Sequence, residues 1–283
     1  MVSSENNLDP RVVDGFGEEW KRFDQSELTE AEREIVFAQY FSIFPWQVLP
    51  ANAVGADIGC GTGRWAKTVA ERVGLLHVAD PSLQALDVAK QNLKNFSNIR
   101  YHLSSVENLP FPDRSLDFAY SLGVLHHIPD TKAGLSSLAK KLKPGAPILI
   151  YLYYAFDNRP IWYRWLWKLS DLLRRVISSL PFFVRATVSE ILAATIYFPL
   201  SRMARILEVF HCLPSSWPLS YYRNRSYYML RTDALDRFGT KLERRFTKKQ
   251  IEELFKSTGF EKITFSDSAP YWCATAFKRL SSN

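Results

Sequence analysis

The stretch VGADIGCGTGRWAKTVA, residues 54–70, decides the fold of this chain. A short apolar run leads to Asp57, glycines follow at three alternate positions, and apolar residues then recur at helical spacing. This order predicts a strand, a tight turn and a helix. Glycines suit such a turn because they tolerate positive φ angles and let the backbone approach a ligand closely. The Asp57 carboxylate can accept hydrogen bonds from an amine or a hydroxyl of that ligand.

Strands and helices alternate from residue 53 to residue 154, which indicates an α/β fold with a parallel sheet and right-handed crossovers. Near the carboxyl end of the chain, a short link at residues 268–270 joins two predicted strands and indicates an antiparallel hairpin. Ligands of parallel sheets bind at the carboxyl ends of the strands. The polar and aromatic residues predicted at those ends are Asp57, Asp80, Ser105, Ser121, His126, His127, Tyr153 and Tyr154.

Asp80 follows the second predicted strand, residues 75–79, and lies 17 positions beyond Gly63. An acid at this distance from a glycine turn is placed to bind the two hydroxyls of a ribose. The glycine turn alone is a weak sign, since several nucleotide-binding folds use one. The chain has no GxGxxG and no GK[ST] after its first strand, so a dinucleotide or a triphosphate fits less well.

The apolar and charged fractions are those of an ordinary globular protein of 283 residues. Residues 1–10 are polar and predict no signal peptide, and residues 1–9 predict a frayed tail. No run of about 18 uninterrupted apolar residues is present, and the most apolar candidate, residues 186–200, contains Glu190 and Pro199. The three cysteines are far apart and lack metal-ligand spacing. We therefore expect free thiols, no metal and a cytoplasmic location.

The net charge of +7 is concentrated in residues 155–246. This segment has 15 Arg and Lys residues against 7 Asp and Glu residues, and 13 of the 15 are arginines. It also contains four of the eight tryptophans and interrupts the alternation of strands and helices. Its first part predicts a helix with apolar residues on one side and basic residues on the other. Two further helices are predicted near residues 188–197 and 201–210.

We therefore divide the chain into an N-terminal helical cap (residues 1–50), a sheet-forming core (residues 51–154 and 247–279) and a helical, Arg- and Trp-rich insertion (residues 155–246). In the cap, Thr29 and Glu32 have the spacing of a capping box, which predicts the start of a helix. The aromatic and charged residues 14–24 come before it. Their Trp20 either belongs to a structural cap on the core or closes over a ligand at the glycine turn.

Taken together, these features resemble the class I S-adenosylmethionine (SAM)-dependent methyltransferases of the small-molecule type 11 family. The resemblance covers residues 51–154 and 247–278. It is carried by DIGCGTG (57–63), Asp80, VENLPF (106–111), LDFAYSLGVLHHI (116–128) and the terminal hairpin. It implies SAM as the cofactor. It also implies a Rossmann-like, seven-stranded, mostly parallel sheet with an antiparallel last strand, and a helical lid formed by the insertion.

The resemblance also assigns positions around the cofactor. It places the methionine end of SAM at Asp57 and the turn glycines, the ribose at Asp80 and the adenine near Leu83. One departure from the family is Arg64-Trp65 directly after the glycines, which we expect to narrow the entrance. The cofactor-binding residues predicted in this way, with Trp20 added, are Trp20, Asp57, Gly59, Gly61, Gly63, Asp80, Leu83, Ser105, Val106, Glu107, Ser121 and Leu122.

Methyl transfer from SAM is a displacement at an already activated leaving group, so proximity and orientation can supply most of the catalysis. A hydroxyl acceptor would need a base. His126 and His127 are the candidates, because imidazole titrates near neutral pH and both follow the fourth predicted strand. The alternative is that this pair is a structural feature of the family. Tyr153 is a third catalytic candidate, and Tyr154 is predicted to line the substrate pocket.

The insertion has three alternative interpretations. It is a lid packed on the core with a solvated basic face, a lid whose arginines bind an anionic substrate, or a surface that contacts a membrane or a nucleic acid. The segment that leads from the insertion back to the core supplies further candidates for substrate binding, although ordinary ion pairing explains the same residues. These candidates are Arg231, Asp233, Arg237 and Arg244.

The sequence therefore predicts a SAM-dependent methyltransferase that acts on a small or a lipid- or sugar-linked metabolite. An oxygen acceptor is narrowly favoured, and no DNA partner is expected. One alternative is an RNA methyltransferase that docks through the basic segment, although the aromatic residues interleaved there are typical of a protein core. The other alternative is a non-catalytic, SAM-binding subunit.

Overall fold

The computed structural model describes residues 7–280, which separate into two units. The sheet unit comprises the chain up to Asp24, Arg33–Ala155 and the chain from Leu242 onward. The helical unit comprises Gln25–Glu32 and Phe156–Lys241. Residues 1–6, which contain most of the predicted tail and of the segment tested for a signal peptide, lie outside the described residues.

A seven-stranded sheet forms the centre of the sheet unit. Its order is β3-β2-β1-β4-β5-β7-β6, and β7 runs antiparallel to both of its neighbours. This confirms the predicted Rossmann-like sheet with an antiparallel last strand. The strands are β1 (Val54–Ile58), β2 (Leu75–Asp80), β3 (Ile99–Leu103), β4 (Phe118–Leu122), β5 (Pro147–Tyr151), β6 (Phe260–Phe265) and β7 (Cys273–Lys278).

Ten α-helices are described between residues 7 and 280. The helices between the strands of the sheet unit follow the predicted alternation, and those of the insertion are longer than the sequence indicated. The helices are α1 (Pro10–Arg22), α2 (Glu30–Tyr40), α3 (Arg64–Ala70), α4 (Leu83–Asn92), α5 (Thr131–Lys141), α6 (Ile161–Ile177), α7 (Phe182–Leu192), α8 (Phe198–Val209), α9 (Tyr227–Gly239) and α10 (Lys248–Ser257).

The middle of the sheet is closely packed around β1 and β4. Every residue of β4 is buried, and the Phe118 and Tyr120 side chains are fully inaccessible. Gly55 of β1 faces Phe118, since the two residues are partners in the parallel ladder. A β-carbon at Gly55 would lie 2.0 Å from the Phe118 ring. The absence of a side chain at Gly55 therefore makes room for this ring beside the glycine turn.

We expect Gly55→Ala to lower the free energy of unfolding by about 1–3 kcal/mol, because the methyl group overlaps a buried ring that cannot move aside. Urea unfolding measures this loss. Phe118→Leu introduced into the Gly55→Ala protein should recover part of the stability that Gly55→Ala removed. A double variant that is less stable than Gly55→Ala alone would contradict the steric explanation.

Helix α1 was not predicted as a helix. Gly15 and Gly17 weaken the helical propensity of this segment. The signal that could have identified it is Asp9-Pro10, since the Asp9 carboxylate accepts a hydrogen bond from the Arg11 N–H at 3.0 Å and Pro10 begins the helix. A β-carbon at Gly17 would lie 2.7 Å from the Ser82 hydroxyl. Helix α1 therefore packs tightly on the start of α4.

The apolar pattern of the sequence predicts a fifth strand over residues 147–154, which is too long. Strand β5 ends at Tyr151, because Tyr154 pairs instead with Phe246 of the returning chain. The Phe246 N–H also donates to the Tyr153 carbonyl at 2.8 Å. Tyr153 and Tyr154 therefore lie in a segment that β5 leads into, where the chain entering the insertion and the chain leaving it are hydrogen-bonded together.

Residues 25–32 belong to the helical unit, although the sequence placed them in the N-terminal cap. The Gln25 N–H donates to the Tyr228 hydroxyl at 2.9 Å. The capping box is only half formed: Thr29 accepts from the Glu32 N–H at 3.2 Å, whereas the Glu32 carboxylate accepts from the Ser226 N–H at 2.8 Å. The long-range bond to Ser226 attaches this segment to the helical unit.

Helices α7 and α8 are joined without a break by one π-helical turn at Ala193–Tyr197. The sequence predicted two separate helices because of Pro199, but this residue lies in the first turn of α8. The continuous helix Phe182–Val209 is long and apolar enough to cross a membrane by length and composition alone. The sequence has no uninterrupted run of about 18 apolar residues, but it did not indicate that one continuous helix would be this long and this apolar on average.

Helix α6 presents its apolar side outward. Trp165 and Leu169 are 64% and 61% exposed, whereas Asp171 and Arg174 are 8% and 4% exposed. The buried pair is joined by a 2.7 Å bond between Arg174 Nε and Asp171 Oδ1, and Arg174 also donates to the Thr240 carbonyl at 2.8 Å. The expectation of a packed apolar face is therefore wrong for this helix. The ion pair holds Asp171 and Arg174 inside, whereas the basic residues Arg164, Lys168 and Arg175 are exposed, as expected.

Candidate active site

The turn between β1 and α3 is fixed by the end of β2. The N–H groups of Gly59 and Cys60 both donate to the Ala79 carbonyl, at 2.7 and 3.1 Å. At Gly61, φ is +53° and a β-carbon would lie 3.2 Å from the indole nitrogen of Trp20. Gly61 is therefore required both for the backbone conformation and for the close approach of Trp20.

Asp57, at the fourth position of β1, is 1% exposed. Its Oδ2 has no hydrogen-bond partner among the described residues. Burial raises the pKa of the Asp57 carboxyl to about 8, against the opposing effect of the Tyr120 hydroxyl and with a further rise from the Asp80 charge. A buried carboxyl oxygen without a partner is costly, so this position suits a ligand that brings a donor or a positive charge.

Asp80 connects the glycine turn to the start of α4. Its Oδ2 accepts from the Gly61 N–H at 2.9 Å, and its Oδ1 accepts from the Ser82 N–H at 2.8 Å. Burial raises the pKa of Asp80 to about 6, and the two N–H donors oppose this rise. Both oxygens therefore already support the backbone of the site. The predicted role in ribose binding would use their remaining lone pairs, and it stays a prediction.

Helix α1 lies over this part of the sheet unit. Trp20 covers Gly61, since its indole nitrogen is 3.2 Å from the point that a Gly61 β-carbon would occupy. Phe16 packs against His127 with ring centroids 4.9 Å apart. The structure therefore brings Trp20 to the glycine turn, where the sequence suggested it. Phe16 was missed, because nothing in its local sequence indicates a contact with a loop more than a hundred residues away.

The residues predicted on the adenine side follow β2 and β3. Leu83 is 55% exposed at the first position of α4, and Ser105 accepts a 3.4 Å hydrogen bond from the Asn108 side chain. Glu107 is partly buried next to Ser105 and Val106. Val106 is 7% exposed and packs in the core. The Val106 side chain is thus used for packing, which leaves only its backbone for a ligand.

Ser121 and Leu122 end β4 beside the glycine turn. The Ser121 hydroxyl is fully buried and donates to the Ile58 carbonyl at 2.9 Å, so it joins β4 to the end of β1. Leu122 is 8% exposed. At the following Gly123, a β-carbon would meet no atom within 4 Å. Open space therefore begins where β4 ends, at the switch point of the sheet between β1 and β4.

His126 is an unsuitable base. Its ring is fully buried, stacks on Tyr153 with centroids 3.9 Å apart, and has no hydrogen bond at either nitrogen among the described residues. Burial holds the pKa of His126 well below its ordinary value, and the neighbouring His127 and Arg245 add to this effect. The side chain therefore stays neutral and serves as a packed aromatic ring, in agreement with the structural alternative.

His127 is also buried, at 4% exposed, but one of its two ring nitrogens is oriented by a hydrogen bond. Its Nδ1 lies 2.7 Å from the Leu242 carbonyl, which can only accept a hydrogen bond. The proton of the neutral ring is therefore on Nδ1, and Nε2 carries the lone pair. The same carbonyl would stabilise the ring after Nε2 takes up a proton. Leu242 belongs to the returning chain, and no local sequence signal indicates this contact.

Tyr153 is held by Arg245, a residue that the sequence did not single out, next to the predicted substrate-binding residue Arg244. The Arg245 guanidinium lies 5.2 Å from the centre of the Tyr153 ring, donates to the Tyr154 carbonyl at 3.2 Å and pairs with Glu243 at 2.7 Å. These contacts fix the two tyrosines beside the histidines. The sequence pointed to this basic segment but not to the residue in it that makes the contacts.

Arg244 is exposed and lines a cavity of about 400 Å³ at the starts of α5 and α10, together with Lys132 and Gln250. The other three substrate candidates lie in the helical unit. Arg231 pairs with Glu190, and Arg237 lies 3.9 Å from Asp171. Asp233 and Tyr222 interact by a side-chain hydrogen bond. The observed contacts of these three residues are interactions within the helical unit, and a role in substrate binding stays a prediction.

Comparison with known proteins gives the site its chemistry. Residues 56–150 match the type 11 family model described as a methyltransferase domain. These residues form a class I SAM-dependent methyltransferase domain. The match supports SAM as the cofactor. The residues of the site fit SAM, since the unpartnered Asp57 oxygen can interact with the positively charged methionine end of SAM beside the glycine turn.

Two curated methyltransferases are similar to about a third of this chain. Phosphoethanolamine N-methyltransferase 2 of Caenorhabditis elegans is 36% identical over 100 residues, which are 34% of this chain and 23% of the relative. Demethylmenaquinone methyltransferase of Bacillus licheniformis is 30% identical over 104 residues, which are 36% of this chain and 45% of the relative. The chain thus matches less than half of the length of these relatives.

The fold is shared over a longer stretch. One chain of the solved complex between a methyltransferase activator of Haloferax volcanii and a methyltransferase has a TM-score of 0.55 with this protein. The comparison covers 96% of this chain and 99% of the other, at 12% identity. At this identity the likeness concerns the fold alone.

Proposed function

We propose that this protein transfers the methyl group of SAM to a small or a lipid- or sugar-linked metabolite. The observation that carries the proposal is the joint presence of a glycine turn, a buried unpartnered Asp57 oxygen and an oriented His127 in one methyltransferase domain. SAM supplies an activated methyl group when bound. Asp57, Asp80 and the turn would hold it beside the end of β4, with Trp20 covering Gly61.

His127 would take the proton of the acceptor at Nε2, while its Nδ1–H stays bonded to the Leu242 carbonyl. Phe16 on one side and Tyr153 on the other restrict the ring, with centroids 4.9 and 5.6 Å away. This arrangement suits a hydroxyl or an ammonium acceptor, both of which must lose a proton. One curated relative is named as an N-methyltransferase. The narrow preference for an oxygen acceptor therefore rests on the sequence of this chain alone.

A product screen tests the proposal. The protein is incubated with SAM carrying a deuterated methyl group and with fractionated metabolite and lipid extracts, and products are identified by the mass of the added methyl group. We expect a labelled product that is lost in His127→Ala. Labelled RNA would support the RNA alternative instead. SAM binding without any labelled product would support a non-catalytic subunit.

SAM affinity should rise with pH. Burial keeps the pKa of Asp57 near 8 and that of Asp80 near 6, whereas a cation beside a carboxyl lowers its pKa. Binding therefore releases a proton, and the association constant should rise by at most about tenfold per pH unit until pH passes the raised pKa. Calorimetry in buffers of different ionisation enthalpy measures this release. Asp57→Asn should weaken binding and flatten the profile, and affinity that falls with rising pH would contradict the assignment.

A further inference from the structure

The helical unit has an unusual surface. Seventeen of the 23 exposed large apolar side chains in the described part of the chain lie between residues 161 and 210. Eight of these are on α6 and nine on or just after the continuous helix Phe182–Val209. Exposed apolar residues concentrated on two helices in this way mark an interaction site. We name the outward apolar sides of these two helices the apolar faces.

The apolar face of α6 follows helical spacing over the whole helix. Trp162, Trp165, Leu169, Leu173 and Val176 are each at least half exposed. The opposite side packs on α9 and contains the buried Asp171–Arg174 pair. The face is therefore a stable property of the helix, because turning it inward would expose apolar contacts and break a buried ion pair.

Charge around the apolar faces is mainly basic. The exposed charged side chains from residue 161 to residue 210 include Arg164, Lys168, Arg175 and Arg205, and the one acidic side chain exposed to a similar extent, Glu208, pairs with Arg223. The acidic residues of this range, Asp171, Glu190 and Glu208, all have arginine partners. Lys168 Nζ also lies 4.6 Å from the centre of the Trp165 ring. An apolar face with tryptophan and a basic border is complementary to the interface of an anionic lipid bilayer.

We propose that the helical unit docks on the surface of a phospholipid bilayer that contains anionic lipids, with the apolar faces in the interface and the basic residues at the headgroups. This proposal does not depend on methyl transfer. A second copy of the chain fits less well, because a two-fold interface would place identical basic borders against each other without acidic partners.

The helix Phe182–Val209 would lie in the interface rather than span the bilayer. Its inward side contains polar groups among the apolar ones: Arg185, Ser189 and Ser201 are buried, and Glu190 pairs with Arg231 of α9. Crossing the hydrocarbon would require these groups to leave their contacts. An amphipathic helix that lies in the headgroup region keeps them in the protein and immerses only the apolar face.

Co-sedimentation of the full chain with vesicles tests the proposal. Vesicles of phosphatidylcholine with phosphatidylglycerol should bind the protein at least about tenfold more tightly than phosphatidylcholine alone. Arg164→Gln, Lys168→Gln and Arg205→Gln combined should remove this preference. The matched control combines Lys90→Gln, Lys94→Gln and Lys249→Gln on exposed positions of the sheet unit and should leave binding unchanged.

Trp165→Glu with Leu169→Glu should weaken vesicle binding at least about tenfold, whereas Ile35→Glu, at a 54% exposed position of α2, should not. The conservative double variant Trp162→Phe with Trp165→Phe gives a second test in case the glutamate variant fails to fold. Brominated lipids should quench the tryptophan fluorescence of the bound wild-type protein. The double variant should still bind the vesicles but lose most of that quenching.

Three results would overturn the proposal. Absence of binding to either vesicle would exclude a bilayer surface. Protein that resists alkaline extraction from membranes would indicate a spanning helix instead. A concentration-dependent dimer that Trp165→Glu abolishes, without vesicle binding, would assign the apolar faces to a second copy of the chain.

Discussion

Gly61→Val should reduce SAM affinity at least about 100-fold, equivalent to ~2.7 kcal/mol. The β-carbon alone would lie 3.2 Å from the Trp20 indole nitrogen, and the two methyl groups of valine extend further toward the ring. The Gly61 N–H also donates to Asp80 at 2.9 Å, so a shift of the turn displaces the predicted ribose site. Calorimetry with SAM measures the loss.

Gly145→Val is the matched control for Gly61→Val. Gly145 also has a positive φ, +80°, but a β-carbon there would make only an ordinary 3.5 Å contact with Leu280, in the turn between α5 and β5. Both variants therefore introduce backbone strain, and only Gly61→Val alters the glycine turn. Equal SAM affinity in the two variants would show that the turn does not contact the cofactor closely.

His127→Phe should reduce turnover about 100-fold or more, as expected for the loss of a positioned base, and leave SAM affinity unchanged. Phenylalanine keeps an aromatic ring against Phe16 but has no Nε2 lone pair and no bond to the Leu242 carbonyl. Steady-state kinetics with the acceptor identified in the product screen measures the effect. Partial recovery of turnover at higher pH would be consistent with the acceptor losing its proton to solvent.

The adjacent His126 provides the comparison. His126→Phe keeps the stack on Tyr153 and removes two nitrogens that have no hydrogen bond among the described residues. Its turnover should stay within about threefold of the wild type, because the ring does not exchange protons in the buried site. If His126→Phe lost as much turnover as His127→Phe, the assignment of the base would be wrong.

The sequence predicted the sheet and the cofactor turn because both depend on local patterns. A strand, a glycine turn and a helix follow one another within residues 54–70, and Asp80 comes directly after the next strand. Such signals need no knowledge of distant contacts. The cytoplasmic location, by contrast, rests on the polar start of the sequence and on cysteine spacing, and it stays a prediction. The three cysteines are free in the structure, and two of them are buried.

The remaining features of the site depend on contacts between distant residues. Leu242 orients His127, Arg245 holds Tyr153, and Phe16 packs on His127, each across about ninety or more residues. The spacing of apolar residues also could not show which side of helix α6 faces the rest of the helical unit. It identifies an apolar side and a polar side, but the buried Asp171–Arg174 pair decides which side faces the protein.

Calorimetric titration of the protein with SAM, alongside Asp80→Ala, tests the central claim most directly. Asp80 fixes the Gly61 N–H and the start of α4 through its two oxygens, so its removal should loosen the turn and the predicted ribose site together. We predict one SAM site per chain in the wild type and at least about tenfold weaker binding in Asp80→Ala. No binding in the wild type, or equal binding in both proteins, would contradict the assignment of the SAM site.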